Sequence, residues 1–150
     1  MNRSKRSALG SIVNLLAIAA ALIGLAFYLI NTNTTYFSNL GRSTPVLASA
    51  GAAILLSLIW CIAGKSVTTF LDLFPIASPA LLIFAFLTLL NSRVNGIAAV
   101  MTFENNEQNM ADLRSALIAL GAMAIAAVLA CLASFFSVRK SETSENSAAA

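Results

Sequence analysis

The sequence predicts an all-α membrane protein, a four-helix antiparallel bundle with both termini in the cytoplasm. The chain is 59% hydrophobic and only 10% charged, which is more apolar than an ordinary soluble domain. Its charged residues leave four uncharged stretches, at residues 7–41, 43–64, 73–92 and 115–138. Each stretch can supply the roughly 20 apolar residues that cross a hydrocarbon core of about 30 Å. The connections are too short for a separate soluble domain.

The distribution of Lys and Arg predicts the orientation, because these residues are in excess in cytoplasmic loops. With the N-terminus inside, the bases on the cytoplasmic side are Arg3, Lys5, Arg6, Lys65, Arg139 and Lys140. The bases on the outer side are Arg42, Arg93 and Arg114. The excess on the first side favours cytoplasmic termini, and the compact chain favours a bacterial cytoplasmic membrane.

The first span is predicted at about residues 8–30, which is longer than the apolar core of a signal peptide. We therefore expect it to be retained. Small and polar residues recur on one face of this helix at steps of three and four, which are Gly10, Asn14, Ala17, Ala21 and Gly24. Small residues let a neighbouring helix backbone approach closely within a bilayer. This face should contact protein. Asn14 is the most interior polar residue on it, and we expect an interhelical hydrogen bond there, with contact to a solute or substrate as the alternative.

The second span is predicted at about residues 44–64. Ser43 or Thr44 can cap its start, and Pro45 then occupies the first turn, where its missing N–H is harmless. A second small surface comprises Ala48, Gly51 and Ala52. We therefore expect the first two helices to form a close hairpin.

The third span, at about residues 76–100, is interrupted by polar residues around Arg93. The Arg93 side chain either extends to the outer headgroups or pairs with acids in the outer connection. In the second interpretation it lines an outward-facing polar pocket. The candidate residues of that pocket are Asn91, Arg93, Asn95, Glu104, Glu107 and Asp112. The apolar residues 97–103 extend the third helix, lie on the surface or fold back over the bundle.

The fourth span is predicted at about residues 112–138, with Asn109 as the capping residue. It carries a second small face, comprising Ala119, Ala122, Ala126 and Ala130. Residues 1–140 then form the bundle. Residues 141–150 are polar without apolar periodicity, so we expect a disordered cytoplasmic tail.

The residue types present argue against an enzyme. The chain has no histidine and only two cysteines, which is too few ligands for a structural zinc site. No catalytic triad or phosphate-binding glycine loop is present. We therefore expect no catalytic residues, no metal and no cofactor. The bases lie at helix ends and form no cluster, so no nucleic-acid partner is expected either.

The function predicted from these features is that of a non-catalytic membrane protein surrounded by the lipid bilayer. The small faces of the first and fourth helices would either pack tightly within the bundle or bind a partner, which would be another membrane protein or a second copy of the chain. The protein would then be an accessory or assembly subunit of a larger membrane complex, or a small homo-oligomer. The alternative is a small-solute facilitator, channel subunit or binding protein that uses the pocket around Arg93.

Overall fold

The computed structural model describes the backbone of residues 3–63 and 73–148, and the side chains of residues 9–62 and 73–136. In these ranges the elements are helix α1, a 3-10 helix, and helices α2, α3 and α4. Their bounds are Arg3–Asn31, Phe37–Leu40, Thr44–Ala63, Phe74–Thr102 and Glu107–Ala148 respectively. The described backbone contains no β-strand. The prediction of an all-α fold with four long helices is therefore confirmed.

All four helices are long and apolar enough to span a membrane, as expected of an integral membrane protein. The candidate spans are Leu9–Asn31, Thr44–Ile62, Phe74–Thr102 and Glu107–Phe136. They contain 19 to 30 residues, so a rise of 1.5 Å per residue makes them roughly 28 to 45 Å long. The first two lie close to the predicted spans, whereas α3 and α4 are longer than predicted. Of the three interpretations of residues 97–103, the structure shows an extension of α3.

The start of α4 differs from the prediction. Asn106 precedes the first helical residue, and its Oδ1 atom accepts the backbone N–H of Asn109 at 2.8 Å. The predicted cap at Asn109 was therefore wrong, and the Asn109 side chain instead donates to the carbonyl of Glu104 at 2.9 Å. The first turn of α4 is polar, so the apolar pattern in the sequence does not reveal it.

The backbone of α4 continues to Ala148 and so includes residues 141–148, which the sequence predicts to be disordered. That expectation rested on the absence of an apolar face. The composition of the segment does not explain the helix, because five of its eight residues are Ser, Thr or Asn, which are weaker helix formers than Ala or Glu.

The packing order of the helices follows their small faces. The largest contact is between α1 and α4, followed by those of α3 with α4 and of α2 with α3, while α1 and α2 meet over a smaller area. At Gly24 of α1, an added Cβ would lie 3.1 Å from the backbone nitrogen of Met123 in α4. The small face of α1 is thus matched to that of α4, and the predicted α1–α2 hairpin is a minor contact.

Alanine dominates the centre of the bundle, and large apolar side chains cover its perimeter. The buried alanines are Ala17, Ala21, Ala50, Ala53, Ala85, Ala116, Ala119, Ala126, Ala127, Ala130 and Ala133. Leu15, Leu22, Leu55, Phe84 and Ile125 are each more than half exposed. This arrangement places small residues between helices and bulky ones toward the lipid, as membrane helix packing requires.

Hydrogen bonds between side chains and backbones also join the helices. Asn14 donates to the carbonyl of Ser57 at 3.2 Å and to Sγ of Cys61 at 3.1 Å, which links α1 to α2. Ser57 and Ser78 share a 2.5 Å hydrogen bond between α2 and α3. The predicted interhelical role of Asn14 is therefore observed.

A proline in α3 creates a further link, to α4. Pro79 has no N–H to donate to the carbonyl of Pro75, four residues earlier. The hydroxyl of Ser134 in α4 donates to that carbonyl instead.

Candidate functional site around Arg93

The loop between α1 and α2, residues 32–43, folds over one end of the bundle and is here called the cap loop. Thr32 and Thr34 start it by donating their hydroxyls to the carbonyls of Leu29 and Asn31, each at 2.8 Å. The 3-10 helix Phe37–Leu40 follows and ends at Gly41, which has a φ of 66°. L-residues with a side chain rarely adopt that conformation, so glycine is required there.

Arg93 is the central charged group beneath the cap loop and is only 1% exposed. Its Nη1 donates to the carbonyl of Phe37 at 3.3 Å, and its Nη2 donates to that of Gly41 at 3.1 Å. The guanidinium carbon lies 5.6 Å from the ring centroids of both Tyr28 and Phe37. Carbonyl dipoles and aromatic faces therefore replace the water that this cation loses.

The position of Arg93 answers one question that the sequence left open. The side chain is buried beneath the cap loop, so it does not extend outward toward the headgroups. Among the described residues it also forms no hydrogen bond with the predicted acidic partners. Its described hydrogen bonds go to backbone carbonyls of the cap loop. The Nε atom is buried and has no hydrogen-bond partner.

Asp112, near the start of α4, is the second buried charge at this end and is 3% exposed. Its Oδ2 accepts the backbone N–H of Tyr36 at 2.9 Å, and its Oδ1 accepts the side-chain amide of Gln108 at 2.9 Å. The amide of Asn31, at the end of α1, donates to the backbone carbonyl of Asp112 at 3.2 Å. Asp112 thus joins the cap loop, α1 and α4.

The remaining candidate pocket residues lie apart from these two. Asn91 and Asn95 are exposed on α3, and Glu104 and Glu107 are exposed at the turn into α4. Arg93 instead faces the bundle, because residues two apart on a helix are separated by about 200°. The structure therefore brings Arg93 and Asp112 to the same loop and leaves the other four candidates on the surface.

Several residues of this site were missed by the sequence analysis. The hydroxyl of Tyr28 accepts the backbone N–H of Ser43 at 2.6 Å, which fixes the end of the cap loop. At Gly96, an added Cβ would lie 3.0 Å from the Phe37 ring and 3.2 Å from Leu40. The available signal was spacing, since Gly96 follows Arg93 by three residues and so lies on a neighbouring face of α3.

Tyr36 and Glu104 form a polar contact at the top of the cap loop. Desolvation raises the pKa of Tyr36 above its ordinary value of 10.0, and the charge and the side-chain hydrogen bond of Glu104 raise it further. The neutral phenol is therefore the favoured form, as a donor to the carboxylate.

A separate groove lies between α3 and α4 and has a volume of about 290 Å³. Its lining is Ile83, Ala127, Val128, Cys131, Leu132 and Phe135. This lining is apolar apart from the Cys131 thiol and offers surface for an acyl chain. Among the described residues, no group of three His, Cys, Asp or Glu side chains could hold a metal ion.

Comparisons with protein-family models, with curated proteins and with solved structures find no match to this chain. The chemistry of the described residues is therefore the basis for the function proposed below.

Proposed function

We propose that this protein is a non-catalytic integral membrane protein, either an accessory or assembly subunit of a larger membrane complex or a small homo-oligomer. The main observation behind the proposal is what the buried charged side chains contact. Arg93 and Asp112 are the charged side chains buried in the described part of the chain, and both are bound to the cap loop. Transporters and membrane enzymes place ionisable groups along internal paths. Here the interior consists mainly of alanine, and the buried polar side chains of Asn14, Ser57 and Ser78 are uncharged and hydrogen-bonded between helices.

The surface available to a partner differs from the one expected from sequence. The small faces of α1 and α4 pack against each other, so they support the fold of the single chain. A small surface remains on α2, where Ala48 is exposed and Gly51 and Ala52 are partly exposed. An added Cβ at Gly51 would meet nothing within 4 Å. This open position is suited to the close approach of a helix from another chain.

The proposed setting is a bacterial cytoplasmic membrane with both termini inside. The excess of Lys and Arg in the terminal segments and the central connection supports this orientation. The alternation of four spans then places the cap loop on the outer face.

Blue-native electrophoresis in a mild detergent tests the proposal. We expect migration above the size of the 15.7 kDa monomer, with partners identified by mass spectrometry of the band. Gly51→Leu should weaken this assembly. The matched control is Gly121→Leu on α4, where an added Cβ also meets nothing within 4 Å. A wild-type chain that migrates only as a monomer, with no co-purifying protein, would contradict the proposal.

The second candidate function is a small-solute facilitator, channel subunit or binding protein centred on Arg93. The unpartnered Nε of a buried guanidinium favours it, because an anionic or zwitterionic solute could neutralise this charge. Arg93→Gln would then abolish binding or uptake while leaving membrane insertion intact. Unchanged uptake in that variant would remove this candidate.

A further inference from the structure

We propose that the cap loop is a releasable strap, clamped between two buried charges of opposite sign. Arg93 on α3 holds the loop through the carbonyls of Phe37 and Gly41. Asp112 on α4 holds it through the backbone N–H of Tyr36. This inference concerns the opening of the loop and does not depend on the proposed function.

The polarity of the loop matches the two charges. Backbone N–H groups carry partial positive charge and carbonyl oxygens carry partial negative charge. The Asp112 carboxylate contacts the N–H of Tyr36, which precedes the 3-10 helix Phe37–Leu40. The Arg93 guanidinium contacts the carbonyl of Phe37, the first residue of that helix, and the carbonyl of Gly41, which follows it. Each charge therefore contacts backbone atoms of opposite partial charge in the cap loop.

Neither charge has an ionic partner among its described hydrogen bonds. Arg93 is bonded to carbonyls, and Asp112 is bonded to an amide N–H and to the side chain of Gln108. Removing a charge from water requires that protein groups replace its hydration. The cap loop supplies these groups to both residues, so burial of the two charges and closure of the loop are one event.

The loop can also be released without unfolding the helices. Asp112 lies within the first two turns of α4, and Arg93 lies nine residues before the end of α3. Both contact the cap loop directly, so lifting the loop uncovers both side chains at that end of the bundle. The α1–α4 contact at Gly24 and the bond between Ser57 and Ser78 involve no cap-loop residue. Opening is therefore a local transition of the kind that hydrogen exchange resolves from global unfolding.

Hydrogen–deuterium exchange of the full chain in lipid nanodiscs tests this inference. Arg93→Gln and Asp112→Asn should each raise exchange in residues 32–43 about tenfold or more, as expected for loss of a buried charged hydrogen bond. Exchange within α2 and α3 should stay unchanged. The matched controls are Arg114→Gln and Glu107→Gln, which neutralise exposed charges near the same end and should leave the cap loop protected.

The extent of the rise in exchange decides whether the two charges act on one transition. If the loop opens as one unit, each single variant should raise exchange across the whole of residues 32–43. The Arg93→Gln/Asp112→Asn chain should then show about the product of the two single effects, up to the rate of an unprotected amide. A rise confined to the amides beside each substituted contact, or an unchanged loop in both single variants, would overturn the inference. A rise in hydrogen exchange that is equal in the cap loop and in all four helices would overturn the inference as well. If the Arg93→Gln variant does not insert into the membrane, Arg93→Lys takes its place. Lysine keeps the charge but cannot donate to both carbonyls at once, so a smaller rise in cap-loop exchange is expected.

Discussion

Arg93 shows how a residue that looks out of place in a span is accommodated by backbone groups. A lysine could not reproduce its geometry, since the planar guanidinium donates to two carbonyls at once and stacks near two rings. The sequence marks Arg93 clearly, because it interrupts an apolar run. It does not mark the partners, because every residue carries a backbone carbonyl. Only the fold selects Phe37 and Gly41.

Substitution of Gly41 tests whether the cap loop requires a glycine at this backbone conformation. Gly41→Ala places a side chain at a φ of 66° and should lower the free energy of unfolding by about 1 to 2 kcal/mol. Thermal unfolding in detergent, followed by circular dichroism, measures this change. The control is Gly121→Ala in the interior of α4, where space is open and stability should rise by up to about 1 kcal/mol. Equal effects at both positions would contradict the role assigned to Gly41.

The raised pKa of Tyr36 predicts how the stability of the cap loop depends on pH. Because its pKa is raised in the folded chain, its contribution to loop stability is complete below pH 10.0 and is lost as the pH rises through the folded pKa. Glu104→Gln removes a charge that raises this pKa, so the pKa should fall toward 10.0. The difference in tyrosinate absorbance between the Glu104→Gln chain and its parent measures this fall, because Tyr28, the other tyrosine, is the same in both chains. Glu107→Gln is the control, and a larger fall in that variant would contradict the assignment.

At the scale of elements, the sequence pattern predicted where the helices lie, but it did not predict which helices pack against each other. The apolar runs located all four spans, and Pro45 marked the start of α2. The sequence predicts the cap of α4 at Asn109, whereas the structure places it at Asn106, because the first turn of this helix is polar and carries no apolar signal. The sequence predicts a close pairing of α1 with α2 because both helices carry small residues. Because α4 carries a small face as well, small residues alone did not decide which helix packs most closely against α1, and in the structure it is α4.

Gly24 tests the contact between α1 and α4. Its added Cβ would meet the backbone nitrogen of Met123 at 3.1 Å and the carbonyl oxygen of Ala119 at 3.3 Å. Backbone atoms cannot rotate away, so Gly24→Ala should force the helices apart and lower the free energy of unfolding by about 1 to 3 kcal/mol. Unfolding in sodium dodecyl sulfate titrations measures the loss. Gly51→Ala, where nothing lies within 4 Å, is the control and should have a smaller effect.

At the scale of the whole molecule, the charge that decides orientation is concentrated near the N-terminus. The proposed topology has six bases on the cytoplasmic side and three outside. Replacing Arg3, Lys5 and Arg6 with Gln leaves three on each side. Because the bias of Lys and Arg sets the orientation, we expect this variant to insert in both directions, whereas the parent chain inserts in one.

Labelling of a single introduced cysteine measures the two populations. Asn2→Cys, in a chain whose two native cysteines are replaced by Ala, should be inaccessible to a membrane-impermeant maleimide in intact cells. In the Gln variant of the three N-terminal bases, a substantial fraction should become reactive. Arg42→Gln removes one base from the proposed outer side and is the control, because it increases the bias and should leave the introduced cysteine protected. Reaction of that cysteine in the parent chain would reverse the proposed topology and place the cap loop in the cytoplasm.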